Sequence, residues 1–238
     1  MAELKQYLSK KEKIGYGLGD MASNLYFQTF VVFMPIFYTD VFGLAPAAMG
    51  TMMLFSRFWD AANDPLMGMI ADRTDTKWGK FRPYIAGFAI PIGLAGFFAF
   101  NTPNFGASGN LIYAYVTYIL LMMMYTGVNV PYAALMGVIT PNSAERTSVS
   151  QYRFAFAFIG QFIAGAVTLG LVEYFGSGNE AIGWRMVMVL YGIVAAALLF
   201  GTFSLTKERV LPKVSKQNRI KDDLKNLMKN KPWILMGL

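Results

Sequence analysis

The sequence predicts an all-α, polytopic membrane protein with six transmembrane helices. Three observations carry that prediction. Hydrophobic residues make up 55% of the 238 positions and charged residues only 15%, against about a quarter charged in soluble domains. Apolar runs long enough to cross about 30 Å of hydrocarbon recur at 14–38, 46–71, 84–100, 111–139, 149–174 and 184–205. The basic residues sort between alternate connections.

That sorting sets the orientation. The N-terminal tail holds Lys5, Lys10, Lys11 and Lys13, and the connection after the second run holds Arg73, Lys77, Lys80 and Arg82. Arg146 follows the fourth run, and nine Lys or Arg lie between Lys207 and Lys231. Together these are 18 of the 21 basic residues; the opposite connections hold only Arg185, and Arg57 and Arg153 lie within runs. By the positive-inside rule the N-terminus and residues 207–231 are cytoplasmic, which places a multi-pass protein in a cell inner membrane. The outer connections carry breakers: Gly43 with Pro46, the stretch 101–110, and 176–179.

The organisation follows. Residues 1–206 form a six-helix transmembrane bundle, and 207–231 a basic cytoplasmic middle loop, amphipathic helix or linker. Residues 232–238, from Pro232 to Leu238, open another apolar run, read as the start of a seventh span at which the chain is cut. The first run follows a basic tail but exceeds signal-peptide length and lacks a small-residue cleavage site, so it is a retained helix. Six spans, a basic connection and a further span form the pattern of transporters built from two six-helix halves with a substrate site between them.

Composition excludes several chemistries. Without Cys there is no disulfide, thiol nucleophile or thiolate metal site, and without His the commonest general base is gone. No nucleotide-binding glycine loop is present, so neither an enzyme nor a cofactor is expected. The net charge of +7 reports topology rather than a nucleic-acid partner; the partners expected are membrane lipids and small solutes.

Function is sought in the polar residues inside the spans, each costing about 2.5–3.5 kcal/mol at a helix centre. Arg57, Asp60 and Asp64 are spaced i, i+3, i+7 on one helix face, with Asn63 beside it. Two carboxylates one turn apart do not both stay ionised in a low-dielectric site without a cation or a proton. Either Arg57 neutralises them and holds helices together, or they take up Na⁺, with Asp60, Asp64 and the Asn63 amide as oxygen ligands, or H⁺. In the first span Asp20, Asn24 and Gln28 form a polar stripe with Ser23, either interhelical glue or part of a site. Gly15 and Gly19 make a close-packing G-x-x-x-G. The fourth span carries Tyr118, Tyr125, Thr126, Asn129 and Tyr132. Rings and amides at that depth suit a sugar. Met122–Met124 are assigned to lipid contact or core packing. Arg153 and, two turns on, Gln161 lie in the fifth span, where Arg153 either snorkels or joins a site.

At the second span the chain resembles a known family. Tyr38-Thr39-Asp40, Arg57-Phe58-Trp59-Asp60-Ala61-Ala62-Asn63-Asp64-Pro65-Leu66-Met67-Gly68, Ala71-Asp72-Arg73-Thr74 and Trp78-Gly79-Lys80-Phe81-Arg82-Pro83 are similar to the glycoside–pentoside–hexuronide:cation symporters, which include melibiose permease within the major facilitator superfamily. Supporting stretches are Lys13 to Asp20, Tyr125 to Tyr132 and Thr206 to Arg209. The resemblance implies the N-terminal half of a major-facilitator fold. It also implies a cation site at Asp60, Asn63, Asp64 and Thr126, and a sugar site including Asn24, Asn129 and Arg153, to which the in-span reading adds Asp20 and Tyr125 as sugar-binding candidates. Gly68, Asp72 and Arg73 resemble the superfamily's loop motif and imply a conformational latch. Ser23-Asn24, Asn129 and Ala133 stand where melibiose permease has a Lys-Asp pair, an Asp and a Trp, which argues against its α-galactoside specificity and fits a pentoside, xyloside or hexuronide.

The expected function is therefore Na⁺- or H⁺-coupled symport of a sugar or glycoside by alternating access, with a C-terminal half needed to complete the site. The alternative is a truncated, transport-incompetent half or a membrane interaction partner.

Overall fold

A computed structural model describes residues 8–210. The 211–231 part of the expected middle loop and the expected seventh span at 232–238 lie outside the described residues.

Helix α1 (Lys10–Gln28) starts at a Ser9-x-x-Glu12 cap, Ser9 Oγ accepting the Glu12 amide at 3.3 Å, which satisfies one of the first-turn donors. The rod runs on through a π-helical turn (Thr29–Phe33), the short α2 (Met34–Ile36) and a second π-helical turn (Phe37–Val41). Pro35 explains the widening: it offers no N–H, and its ring pushes away the carbonyl one turn back, so the backbone regroups in wider turns.

Pro46 occupies the first turn of α3 (Pro46–Arg73), where its missing N–H costs nothing. The third rod is split at Phe88 into α4 (Arg82–Gly87) and α5 (Ala89–Ala99). Then come α6 (Gly106–Ile139), α7 (Ser143–Gly176) and α8 (Glu180–Leu205). Asn142 and Asn179 cap α7 and α8, their side chains accepting amides of the first turn.

The expected six spans are met only in part. By length and composition three described helices are apolar enough to cross a membrane: α6, α7 and α8. The others fall short for separate reasons. The first rod is divided by its π turns and is charged at Lys10, Lys11, Glu12, Lys13 and Asp20. Helix α3 carries Arg57, Asp60 and Asp64 at its centre, and α5, although apolar, has only 11 residues.

Packing follows the small residues. Helix α1 lies against α7 and α8, α5 joins α8 to α6, and α3 packs chiefly along α6. Gly15 of α1 faces Leu205, while Gly19 faces the Tyr132 ring and Thr202 Oγ1, so the two glycines let α1 approach its neighbours closely. The aromatic core lies between the first rod, α5 and α8: the Phe100 ring is 4.8 Å from Phe37 and 5.6 Å from Trp184, all three buried. Because α3 leans on one main neighbour, its other side leaves Leu54, Phe55 and Phe58 exposed.

Candidate functional site

Helices α3 and α6 run parallel, meeting 62 residues apart from Ser56 to Gly68 of α3 and, nearer its start, at Thr51 with Tyr115. Ser56 Oγ lies 3.3 Å from the Tyr118 hydroxyl, and Thr126 Oγ1 donates to Asp64 Oδ1 at 2.9 Å. A methyl on Gly68 would meet Val130 Cγ1 at 3.8 Å. A cavity of about 200 Å³ lies along this seam. Its polar wall includes Arg57, Asp60, Asp64, Tyr118, Thr126 and Asn129, and the first rod closes it with Phe27 of α1 and Phe30 and Val31 of the first π-helical turn.

The carboxylates differ in their partners. Asp64 is engaged by Thr126, whereas Asp60 Oδ1 is buried and has no hydrogen-bond partner among the described residues. Arg57 lines the same cavity but forms no ion pair with a described residue. Arg57 therefore makes no direct ion pair here, although its charge still acts on Asp60 within the cavity. Two carboxyls and a hydroxyl facing one small cavity supply hard oxygen donors, the ligand type that alkali cations take, or a proton acceptor.

A second polar group ties α1 to α7. Arg153 Nε donates to Asp20 Oδ2 at 3.1 Å, and Asp20 is only 4% exposed. Gln161 Nε2 donates to Asn24 Oδ1 at 2.7 Å, while Asn24 Nδ2 donates to the Asp20 carbonyl at 2.8 Å. Tyr125 stands between the groups, packed on the rings of Phe27 and Phe30 and within electrostatic range of Asp20, Arg153, Asp60 and Asp64. Behind it Tyr16 and Tyr132 stack at 4.6 Å, and each hydroxyl donates to the other's carbonyl.

The expected cation set is thus brought together at Asp60, Asp64 and Thr126, but Asn63 does not line the cavity. The expected sugar set divides: Tyr125 and Asn129 line the cavity, and Asp20, Asn24 and Arg153 form the α1–α7 group. Gln161 belongs to that group too, and its spacing of eight from Arg153 was the available signal. Met122 lines the cavity rather than facing lipid alone.

The expected latch residues fall at the far end of α3. Asp72 and Arg73 are exposed there, and Gly68 packs on Val130 as one more step of the α3–α6 register. Since an added methyl finds ordinary contact space, Gly68→Ala is expected to keep the fold or raise stability by up to ~1 kcal/mol, the helix-propensity difference. Thermal unfolding in detergent measures it.

A fastening absent from the sequence expectations lies nearby. The Glu208 carboxylate accepts the backbone N–H groups of Lys80, Phe81 and Arg82 at 2.8, 2.8 and 2.9 Å, an anion seated on the start of α4. Arg209 N–H and Val210 N–H both donate to the Val138 carbonyl, and Arg209 pairs with Glu12 at 2.7 Å. Residues 208–210 thereby bind α1, α6 and the α3–α4 connection together. Gly79 has φ 106°, and a Cβ there would run into the Glu208 carboxyl. Gly79→Ala is expected to unseat Glu208 and destabilise by about 2 kcal/mol through backbone strain and lost charge-assisted bonds. The same unfolding measurement should separate it clearly from Gly68→Ala.

Three helices long and apolar enough to cross a membrane, with charged side chains held inside the bundle, mark a polytopic membrane protein. The chain matches the family described as "MFS/sugar transport protein" over residues 15–238, and it belongs to that family. It is 44% identical over 229 residues to "Putative glycoside/cation symporter YagG" of Escherichia coli (strain K12), covering 96% of this chain and 50% of that protein. It is 41% identical over 234 residues to "Inner membrane symporter YicJ" of the same organism, covering 98% and 50%. To the "Isoprimeverose transporter" of Lactiplantibacillus pentosus it is 38% identical over 235 residues, covering 98% and 49%. The chain spans about half the length of these relatives.

Proposed function

We propose that the chain is the ion-binding, six-span half of a secondary symporter that carries a glycoside or sugar with Na⁺ or H⁺ by alternating access. The observation that carries the reading is the α3–α6 cavity, where Asp60 and Asp64 face one small space and, among the described residues, only Asp64 of the two is hydrogen-bonded. Placing two carboxyls inside a membrane is costly, and a bound cation or proton offsets that cost. Three rods, 10–41, 46–73 and 82–99, would cross the membrane with α6, α7 and α8. The basic tail and residues 207–231 would lie on the cytoplasmic side of an inner membrane. The Asp20–Arg153 and Asn24–Gln161 pairs, with Tyr125 and Asn129, would supply the sugar contacts from this half, and a second half would complete them. The names of the relatives support a glycoside, and a pentoside or hexuronide is the class proposed. Gly68, Asp72 and Arg73, beside the Glu208 fastening, would steady one access state.

The test is uptake of radiolabelled pentosides and hexuronides into vesicles, with and without Na⁺ or pH gradients. It compares the 238-residue chain with the same chain joined to the C-terminal half of the 44%-identical relative. Gradient-driven accumulation by the joined protein alone is expected. Accumulation by the joined protein that neither gradient alters would refute symport.

A further inference from the structure

The third rod and α8 run antiparallel: Arg82 at the start of one bonds the Phe203 carbonyl near the end of the other, and Gly93 meets Gly192 further along. Where the rod begins and α8 ends, a cavity of about 280 Å³ opens, lined by Lys77, Lys80, Arg82 and Lys207 together with Asp75, Trp78 and Glu208. Four basic side chains there face two acidic ones, and the acidic pair does not neutralise them. Glu208 is engaged by three backbone N–H groups, although its charge still acts on Arg82. Asp75 is exposed. The Arg82 guanidinium donates to the Trp78 and Phe203 carbonyls and lies over the Phe203 ring. Lys77 holds its ammonium 4.8 Å from the centre of the Trp78 ring, and Lys207 is exposed; neither pairs with a carboxylate among the described residues.

Further along the same two helices the surface turns apolar, with Ile90 and Leu94 of α5 and Ile193 and Phe200 of α8 exposed. Trp78, half exposed, stands at the cavity itself, as indole rings do at the level of lipid head groups. A basic pocket between helices, at one end of an apolar seam, suits an amphiphile with an anionic head and hydrocarbon tails. We infer that this cavity binds the phosphate of an anionic phospholipid: Lys77 and Lys207 hold the head group, and the acyl chains lie along α5 and α8. The inference needs only a chain that crosses a membrane; neither the ion site nor the sugar site enters it.

The experiment is native mass spectrometry of the 238-residue chain released from micelles holding equal amounts of phosphatidylglycerol and phosphatidylcholine. The parent should retain phosphatidylglycerol in preference by about 25-fold, each lysine contributing roughly fivefold. Lys77→Gln combined with Lys207→Gln should bring the ratio near unity, while Lys77→Arg with Lys207→Arg, which keeps both charges, should hold it within about twofold of the parent. Lys10→Gln with Lys11→Gln removes the same charge from exposed positions outside the cavity and should leave the ratio unchanged. All these side chains but the mobile-headed arginines are simple surface replacements, and thermal unfolding without lipid checks that each variant is folded. A parent without preference, a Gln pair at 77 and 207 that keeps it, or a Gln pair at 10 and 11 that loses as much would overturn the site. Phosphatidylglycerol should also stay bound in millimolar inorganic phosphate; its displacement would assign the cavity to a free anion and overturn the lipid.

Discussion

Asp64→Asn is expected to abolish cation-dependent uptake by the completed transporter, a loss on the order of 100-fold in gradient-driven accumulation. The amide has nearly the shape of the carboxyl, and its oxygen still accepts from Thr126 Oγ1, so the α3–α6 contact at 2.9 Å survives. What disappears is the second negative charge facing the cavity, and with it the attraction that makes ion and sugar binding mutually favourable. Coupling of this kind is a free energy shared by two ligands, so the loss should appear in the ion dependence of sugar binding and equally in the sugar dependence of ion binding. Thr126→Val offers the complementary test. It leaves both charges but strips the Asp64 partner, and the expected result is a smaller, about tenfold, change in the ion concentration needed for half-maximal uptake. Both variants are compared at equal membrane abundance. Undiminished gradient-driven uptake by Asp64→Asn would remove the carboxyl pair from the coupling mechanism.

The parts of this fold legible in the sequence were those determined by local pattern. Helices α6, α7 and α8 read directly from unbroken apolar stretches, and the phase of Arg57, Asp60 and Asp64 follows from helical spacing alone. That phase rotates Asn63 by about 100° from Asp64, and in the structure it does not line the cavity shared by Asp60, Asp64 and Thr126. The first rod was legible as a helical stretch, but its π turns around Pro35 were not, because a proline marks disturbance without saying whether the helix breaks or widens. The α3–α6 register was out of reach, since it depends on how two helices slide against each other. Without it Asp60 and Asp64 read as equivalent. Glu208 was invisible for a similar reason: its three amide partners are 126 to 128 residues away, and no local pattern marks a carboxylate that caps a distant helix. Asp20 and Arg153, 133 residues apart, were each singled out for being charged inside a span, but their pairing came only with the fold.

That pairing supports the second large effect. Arg153→Ala should destabilise the chain by about 3 kcal/mol, because it leaves the Asp20 carboxylate, 4% exposed, without its counter-charge. The figure sits at the low end for a broken buried pair, since the Arg153 side chain is itself 35% exposed and water screens part of the attraction. Asp20→Asn placed in the Arg153→Ala background should recover most of the loss, since a neutral amide needs no cation opposite it. The thermodynamic cycle through the four proteins, followed by thermal unfolding in detergent, isolates the pair from the packing each side chain also provides. Transport gives the other half of the test. If the pair also contacts sugar, the double variant should regain stability while its sugar uptake stays absent. If it serves only to hold α1 against α7, uptake should return together with stability. Arg153→Ala unfolding at the parent temperature would mean that Asp20 is relieved by other means, and the ion pair would then have no structural weight at this contact.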